Sequence, residues 1–138
     1  MRLLIRGIAA VWGGAIGFYF LAILLGAPLT RQFYETLLWS TLQACFTVLP
    51  VFLLHGVNLK ELWRIFIAGV VESETERVIR TCGVWSMIGT MVGVSAFPLD
   101  WDEPWQEYPL PIVVMCIVGF FVGTAFSMAS SFQRNKVI

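Results

Sequence analysis

Charge is what this chain has least of. Asp, Glu, Lys and Arg together make up 13% of its 138 residues, whereas 58% are hydrophobic. Soluble domains carry about 25% charged residues. No soluble fold of this size can hide so much apolar surface, so lipid must be the solvent for much of it. Neither sign of charge is in excess. Nine basic residues balance nine acidic ones, which argues against nucleic acid as a partner. Histidine occurs once, at His55, and no Ser, Thr or Cys stands beside it as a nucleophile beside its base. Cysteine is also scarce. Cys45, Cys82 and Cys116 are an odd, scattered set with neither disulfide nor zinc spacing, and they read as small buried hydrophobes. There is no glycine-rich phosphate loop, no internal repeat and no low-complexity segment. An independent enzyme is not expected, nor is a cofactor or a bound metal.

Four long apolar segments are present: Ile8–Leu25, Tyr34–Leu54, Val78–Phe97 and Ile112–Phe132. A helix of ~20 residues rises ~30 Å, the thickness of the hydrocarbon layer. Backbone groups in lipid must pair within their own segment, so these are helices, and the alternation of a membrane β-barrel is absent. The expected fold is therefore all-α. It is a polytopic membrane protein with four transmembrane helices, and residues 1–138 form a single transmembrane domain. The two arginines before the first apolar run would also suit a signal peptide. That run extends from Ile8 to about Gly26, longer than the usual signal core, so it is read as an uncleaved span. Gly26-Ala27-Pro28 stops the first helix, and Pro50 should bend the second. Ser73 with Glu76 has the form of a capping box that starts the third. Pro98 ends the third helix, and Pro109 and Pro111 introduce the fourth.

The basic residues give an orientation. Arg2, Arg6, Lys60, Arg64, Arg77, Arg80, Arg134 and Lys136 fall on one side of the spans and only Arg31 on the other. By the positive-inside rule, both termini are cytosolic. Between the second and third spans, Leu59, Leu62, Trp63, Phe66 and Val70 share one helical face. Residues 58–71 thus read as a short interfacial helix on the cytosolic surface, capped by Asn58. The plainer alternative is a connector whose apolar residues touch the spans.

Three spans carry glycines four residues apart: Gly13/Gly17, Gly89/Gly93 and Gly119/Gly123. This spacing leaves a flat groove that lets another backbone approach. Such rows serve packing inside the bundle or docking of a partner subunit. At least one row is expected to meet a partner, with Gly119/Gly123 the first choice and Gly13/Gly17 the next. Gln43 lies mid-span and should face another helix, as interhelical glue or along a lipid path.

The segment between the last two spans is the most specific part of the chain. It holds Asp100, Asp102, Glu103 and Glu107 with Trp101, Trp105 and Tyr108, three prolines and no basic residue. The acids do not follow a calcium-loop spacing, and aromatic residues gather at any membrane interface. On residue chemistry alone, an aromatic belt with solvated acids competes with a specific site. A small membrane transporter or lipid-handling protein is the competing class, with Gln43, Pro50 and the acidic loop marking a path. Transport paths usually need ionisable groups at mid-depth, and none is present here.

Gly89-Thr90-Met91-Val92-Gly93 runs into Pro98-Leu99-Asp100-Trp101-Asp102 and Pro104-Trp105-Gln106, ending at Pro109. This stretch resembles the signature of the PIG-F family of phosphatidylinositol-glycan biosynthesis proteins. Weaker similarity covers Leu25-Gly26-Ala27-Pro28 and Trp63-Arg64-Ile65-Phe66 and reaches Gly119 and Gly123. Ala96 stands where the family usually has proline, and Met91 and Tyr108 replace typical tryptophans. Members usually carry a further pair of spans before this region, so the resemblance implies a short, four-span form. It also implies a non-catalytic subunit that stabilises ethanolamine phosphate transferases in GPI-anchor synthesis. The place would be the endoplasmic reticulum membrane, with the transferase catalytic subunits and the lipid bilayer as partners. Pro98, Leu99, Asp100, Trp101, Asp102, Pro104, Trp105 and Gln106 would then form a structural turn on the lumenal side.

Overall fold

A computed structural model describes residues 1–26, 32–95 and 110–137, and all regular structure among them is helical. Helix α1 spans Arg2–Leu24 and α2 spans Phe33–His55. A short α3, Leu59–Leu62, runs directly into a π-helical turn at Trp63–Ile67. Helices α4 and α5 span Glu74–Ser95 and Leu110–Val137. Helices α1, α2, α4 and α5 are long and apolar enough to cross a membrane. They contain the four expected apolar segments, apart from Leu25, which caps α1, and positions that lie outside the described residues. All four run past their segments at one end or both: α1 begins six residues before Ile8, α4 begins four before Val78, and α5 continues five past Phe132. The polar residues at those ends do not stop a helix whose backbone bonds are already propagating.

Local chemistry sets the ends. Gly26 adopts φ +101° and Gly56 φ +75°, backbone that a side chain would oppose, and each closes the helix before it. The N–H of Gly56 donates to the carbonyl of Phe52 at 2.8 Å. Helix α2 passes through Pro50 and continues to His55. The third span opens with half of the expected box, in which the Glu76 N–H donates to Ser73 Oγ at 3.2 Å. The Glu76 carboxylate does not return to the Ser73 N–H. It accepts the N–H of Glu72 at 2.7 Å, one residue earlier.

The connector departs from a single amphipathic helix over 58–71. Asn58 caps it as expected, its Oδ1 accepting the Lys60 N–H at 3.1 Å. The winding then loosens: the N–H of Ala68 reaches back five residues to the carbonyl of Trp63 at 2.9 Å. Gly69, at φ +71°, ends the turn, and the Val70 N–H bonds the Arg64 carbonyl at 3.0 Å. The wider turn brings Ile65 inside, fully buried, while Leu59, Trp63 and Val70 stay exposed. Leu59, Leu62, Trp63 and Phe66 still line one common groove, so the expected apolar face persists up to Phe66.

The long helices form two antiparallel pairs. In the first, Gly14 of α1 lies against Ala44 and Val48 of α2, and Gly7 lies against Phe52. In the second, α4 and α5 touch backbone to backbone. A Cβ on Gly89 would run into the carbonyl of Met115, and one on Gly119 into the carbonyl of Trp85. One on Gly93 would stand 2.7 Å from the Pro111 carbonyl, and one on Gly123 2.9 Å from Cys82 Cα. Helix α2 joins the pairs. Its Phe46 ring stacks on Phe120 of α5, with centroids 4.2 Å apart. Trp39 packs with Ala22 and Ile112.

The inside is small and polar, and the outside is large and apolar. Ala15, Ala44, Ser40, Ser86, Gly89 and Gly119 are buried, whereas Phe20, Phe121, Phe126 and Met128 are exposed. Water would make that distribution unfavourable, and lipid makes it the expected one. Gly119→Leu should therefore force α4 and α5 apart, at a cost of about 1–3 kcal/mol or more. A Cβ at Gly13 meets nothing within 4 Å, so Gly13→Leu should not lower stability by more than ~0.5 kcal/mol. Thermal unfolding in one detergent, followed by loss of the monodisperse chromatographic peak, compares the two. Equal midpoints would contradict the contact described.

Candidate functional site

Helix α2 carries a row of polar residues into the middle of the bundle. Gln43 has no exposed surface. Its Nε2 donates to Ser86 Oγ of α4 at 2.9 Å, and its Oε1 accepts from Cys116 Sγ of α5 at 3.1 Å. One amide thus ties three helices. One turn earlier, Trp39 Nε1 donates to Thr90 Oγ1 at 3.1 Å. Thr47 and Thr90 also return their hydroxyls to the backbone four residues before them. An unpaired amide in lipid is costly, so a committed one holds helices in register. Gln43 is interhelical glue in this structure.

A second cluster stands where α2 ends, the connector turns and α4 begins. Arg64 is its centre. Its Nη2 and Nη1 donate to the two oxygens of Glu76 at 2.8 and 3.2 Å, the forked geometry that suits guanidinium and carboxylate. Its Nε and Nη2 donate to Glu61 Oε2 at 2.9 and 2.6 Å, and its Nη1 lies 3.2 Å from Glu72 Oε1. His55 Nε2 meets Glu76 Oε1 at 2.7 Å. Donation to Glu76 first, and to Glu61 second, raises the pKa of Arg64 above that of an ordinary arginine. Glu76 is buried and Glu72 is exposed. Residue chemistry alone did not reveal this cluster. Arg64 and Glu76 are twelve residues apart, and His55 lies a further nine before Arg64, so only the return of the chain unites them. The available signal was Glu61 three residues before Arg64, a spacing that pairs on a helix.

His55, Glu61 and Glu76 offer ligand atoms within 4.8 Å of one another, a separation a metal ion could use. Arg64 already supplies the cation between the two carboxylates. The arrangement is a charged staple with its counterion built in. Catalysis would need a free base or nucleophile, and the members of this cluster are bound to one another.

The glycine rows separate clearly. Gly89/Gly93 and Gly119/Gly123 face each other across the α4–α5 contact and are buried. The first-choice docking row is therefore engaged within this chain. Gly13 and Gly17 are exposed on α1, and a Cβ at either would meet nothing within 4 Å. The turn residues Pro98, Leu99, Asp100, Trp101, Asp102, Pro104, Trp105 and Gln106 lie outside the described residues.

These features define a class: a helical membrane bundle whose buried polar groups serve packing. The sequence of residues 1–128 matches the GPI biosynthesis protein family Pig-F, and the chain belongs to that family. The human GPI ethanolamine phosphate transferase, stabilizing subunit, is 33% identical over 119 residues, 86% of this chain and 54% of that protein. The mouse protein of the same name is 32% identical over 114 residues, 83% of this chain and 52% of its own length. Glycosylphosphatidylinositol anchor biosynthesis protein 11 of Debaryomyces hansenii is 36% identical over 102 residues, 73% of this chain and 43% of that protein. The chain thus spans about half the length of these relatives. No solved structure matches it.

The staple predicts a non-additive result. Arg64→Met leaves the buried Glu76 carboxylate without its main partner and should lower thermal stability more than Arg77→Met, which breaks only a long, exposed contact to Glu74. Adding Glu76→Gln to Arg64→Met should restore part of the loss. A double-mutant cycle on melting midpoints measures the coupling, and simple additivity would show that the staple is not an energetic unit.

Proposed function

We propose that this chain is a non-catalytic membrane subunit that stabilises ethanolamine phosphate transferases in GPI-anchor biosynthesis. The observation that carries this reading is the family match over residues 1–128, with relatives named as the stabilizing subunit of such a transferase. The geometry supports it in two ways. The polar clusters are bound within the chain, and α1 presents an open row of small residues. A partner's transmembrane helix can approach closely at Gly13, with Ala9 extending the row. The transferase catalytic subunits are the partners and would supply the chemistry.

The proposed setting is the endoplasmic reticulum membrane, with residues 1–138 forming one four-span transmembrane domain. Both termini and the charged connector then face the cytosol, and the Asp100–Glu107 stretch faces the lumen. Engineered glycosylation acceptors within 99–108 should be modified, whereas acceptors within 56–76 should not. The reverse pattern overturns the orientation.

Gly13→Leu should lower recovery of the transferase subunit while leaving the level of this chain unchanged. Co-purification from mild detergent, with mass spectrometry of the partner, reads both quantities. Undiminished partner recovery with Gly13→Leu would remove α1 as the docking face. Absence of any transferase beside the unaltered chain would remove the subunit reading itself.

A further inference from the structure

Between α1 and α4 lies an apolar groove of about 820 Å³. Gly17 and Leu21 of α1 form one wall, Val48 of α2 the floor, Val84 and Met87 of α4 the other wall, and Phe66 of the connector also lines it. Its volume falls within the ~300–1,000 Å³ typical of small-molecule sites. Its length is informative. On α4 it extends from Gly83 to Met91, eight residues or about 12 Å of helix rise. That is close to one leaflet, half of the ~30 Å hydrocarbon core. A partner helix that crosses the whole bilayer needs a longer channel.

One turn beyond Gly83 and Val84, toward the connector end, stands Arg80. No carboxylate among the described residues lies within ion-pair distance of it, whereas Arg64, Arg77 and Arg134 all have partners. Its Nε is buried and makes no hydrogen bond. Its guanidinium lies against Gly69, where a Cβ would come within 3.4 Å of Nη2. Gly69 is two residues past Ile67, which also lines the groove. An arginine at the edge of the hydrocarbon layer, with an unsatisfied buried donor, calls for an anion. The nearest acids do not meet that need, because Glu61, Glu72 and Glu76 are gathered around Arg64.

We propose that this groove holds a diacyl phospholipid of the connector-side leaflet, its acyl chains between α1 and α4 and its phosphate on Arg80. The apolar walls take the chains, and the forked guanidinium takes the phosphate oxygens. Headgroup and chains are both required, since a bare anion would leave the groove unfilled and a neutral diacyl lipid would leave Arg80 unpaired. This inference does not depend on the partner-subunit reading.

The test is native mass spectrometry of the full chain, delipidated in mild detergent and titrated with dioleoylphosphatidylglycerol, dioleoylglycerol or glycerol phosphate. A one-to-one adduct is expected with the phospholipid, about tenfold weaker with dioleoylglycerol, and absent with glycerol phosphate. Arg80→Gln should weaken the phospholipid adduct by about tenfold, and Arg80→Lys should restore part of it. Gly17→Phe fills the groove from a position where a Cβ meets nothing within 4 Å, so it should remove the adduct without unfolding the chain. A melting midpoint for each variant confirms that it is folded. Glycerol phosphate binding as well as the phospholipid would reduce the site to an anion contact. A phospholipid adduct unchanged by Gly17→Phe would mean that the groove is left for another occupant, such as a partner helix. Either result overturns the proposal, as does an adduct indifferent to Arg80→Gln.

Discussion

The near approach of α4 to α5 is the constraint from which the rest of the bundle follows. Lipid gives two apolar helices no solvent-driven reason to associate, so association depends on dispersion contacts and on hydrogen bonds. Dispersion falls steeply with separation, and glycine is the residue that lets two backbones close the distance. Gly89, Gly93, Gly119 and Gly123 line up so that main-chain atoms of each helix lie where a side chain would otherwise project from the other. This closeness also sets what α2 can do. A single glutamine side chain reaches Ser86 on α4 and Cys116 on α5 at once. A wider gap would leave one end of that amide without a partner.

The second organising element is electrostatic and sits at the edge of the bundle. Arg64 gathers acids from three places in the sequence, and His55 adds the end of α2. The end of α2, the connector and the start of α4 are thereby fixed to one another. The π-helical winding of Trp63–Ile67 belongs to the same arrangement. It turns Ile65 inward while Arg64 remains directed at the carboxylates.

The helices were legible in the sequence because apolar runs of membrane length leave the backbone little choice. The commitment of Gln43 was legible too, since a lone amide in hydrocarbon needs a partner. The pairing of the glycine rows was not. Gly13/Gly17, Gly89/Gly93 and Gly119/Gly123 have the same spacing, and spacing does not say which row meets which. Two rows facing each other use both, which leaves the α1 row open. The connector was legible in its cap and in the face shared by Leu59, Leu62, Trp63 and Phe66, but not in the wider turn that begins at Trp63. The charged cluster was hidden by sequence separation, although Glu61 beside Arg64 and Glu76 in its cap were visible singly. The family signature around Asp100 and Trp101 was the strongest signal of function, and it concerns residues outside those described.

The order of the helices along the chain gives Gln43 a history. It is synthesised with α2, while Ser86 and Cys116 follow forty-three and seventy-three residues later. Until then the first pair of helices carries an amide with nothing across from it, and the last helix supplies the final bond. A ribosome that stops before α5 releases a product in which the Gln43 amide, wholly buried in the finished bundle, is still half satisfied. Such a product is left with an unpaired hydrogen-bonding group in lipid, which the completed chain does not have.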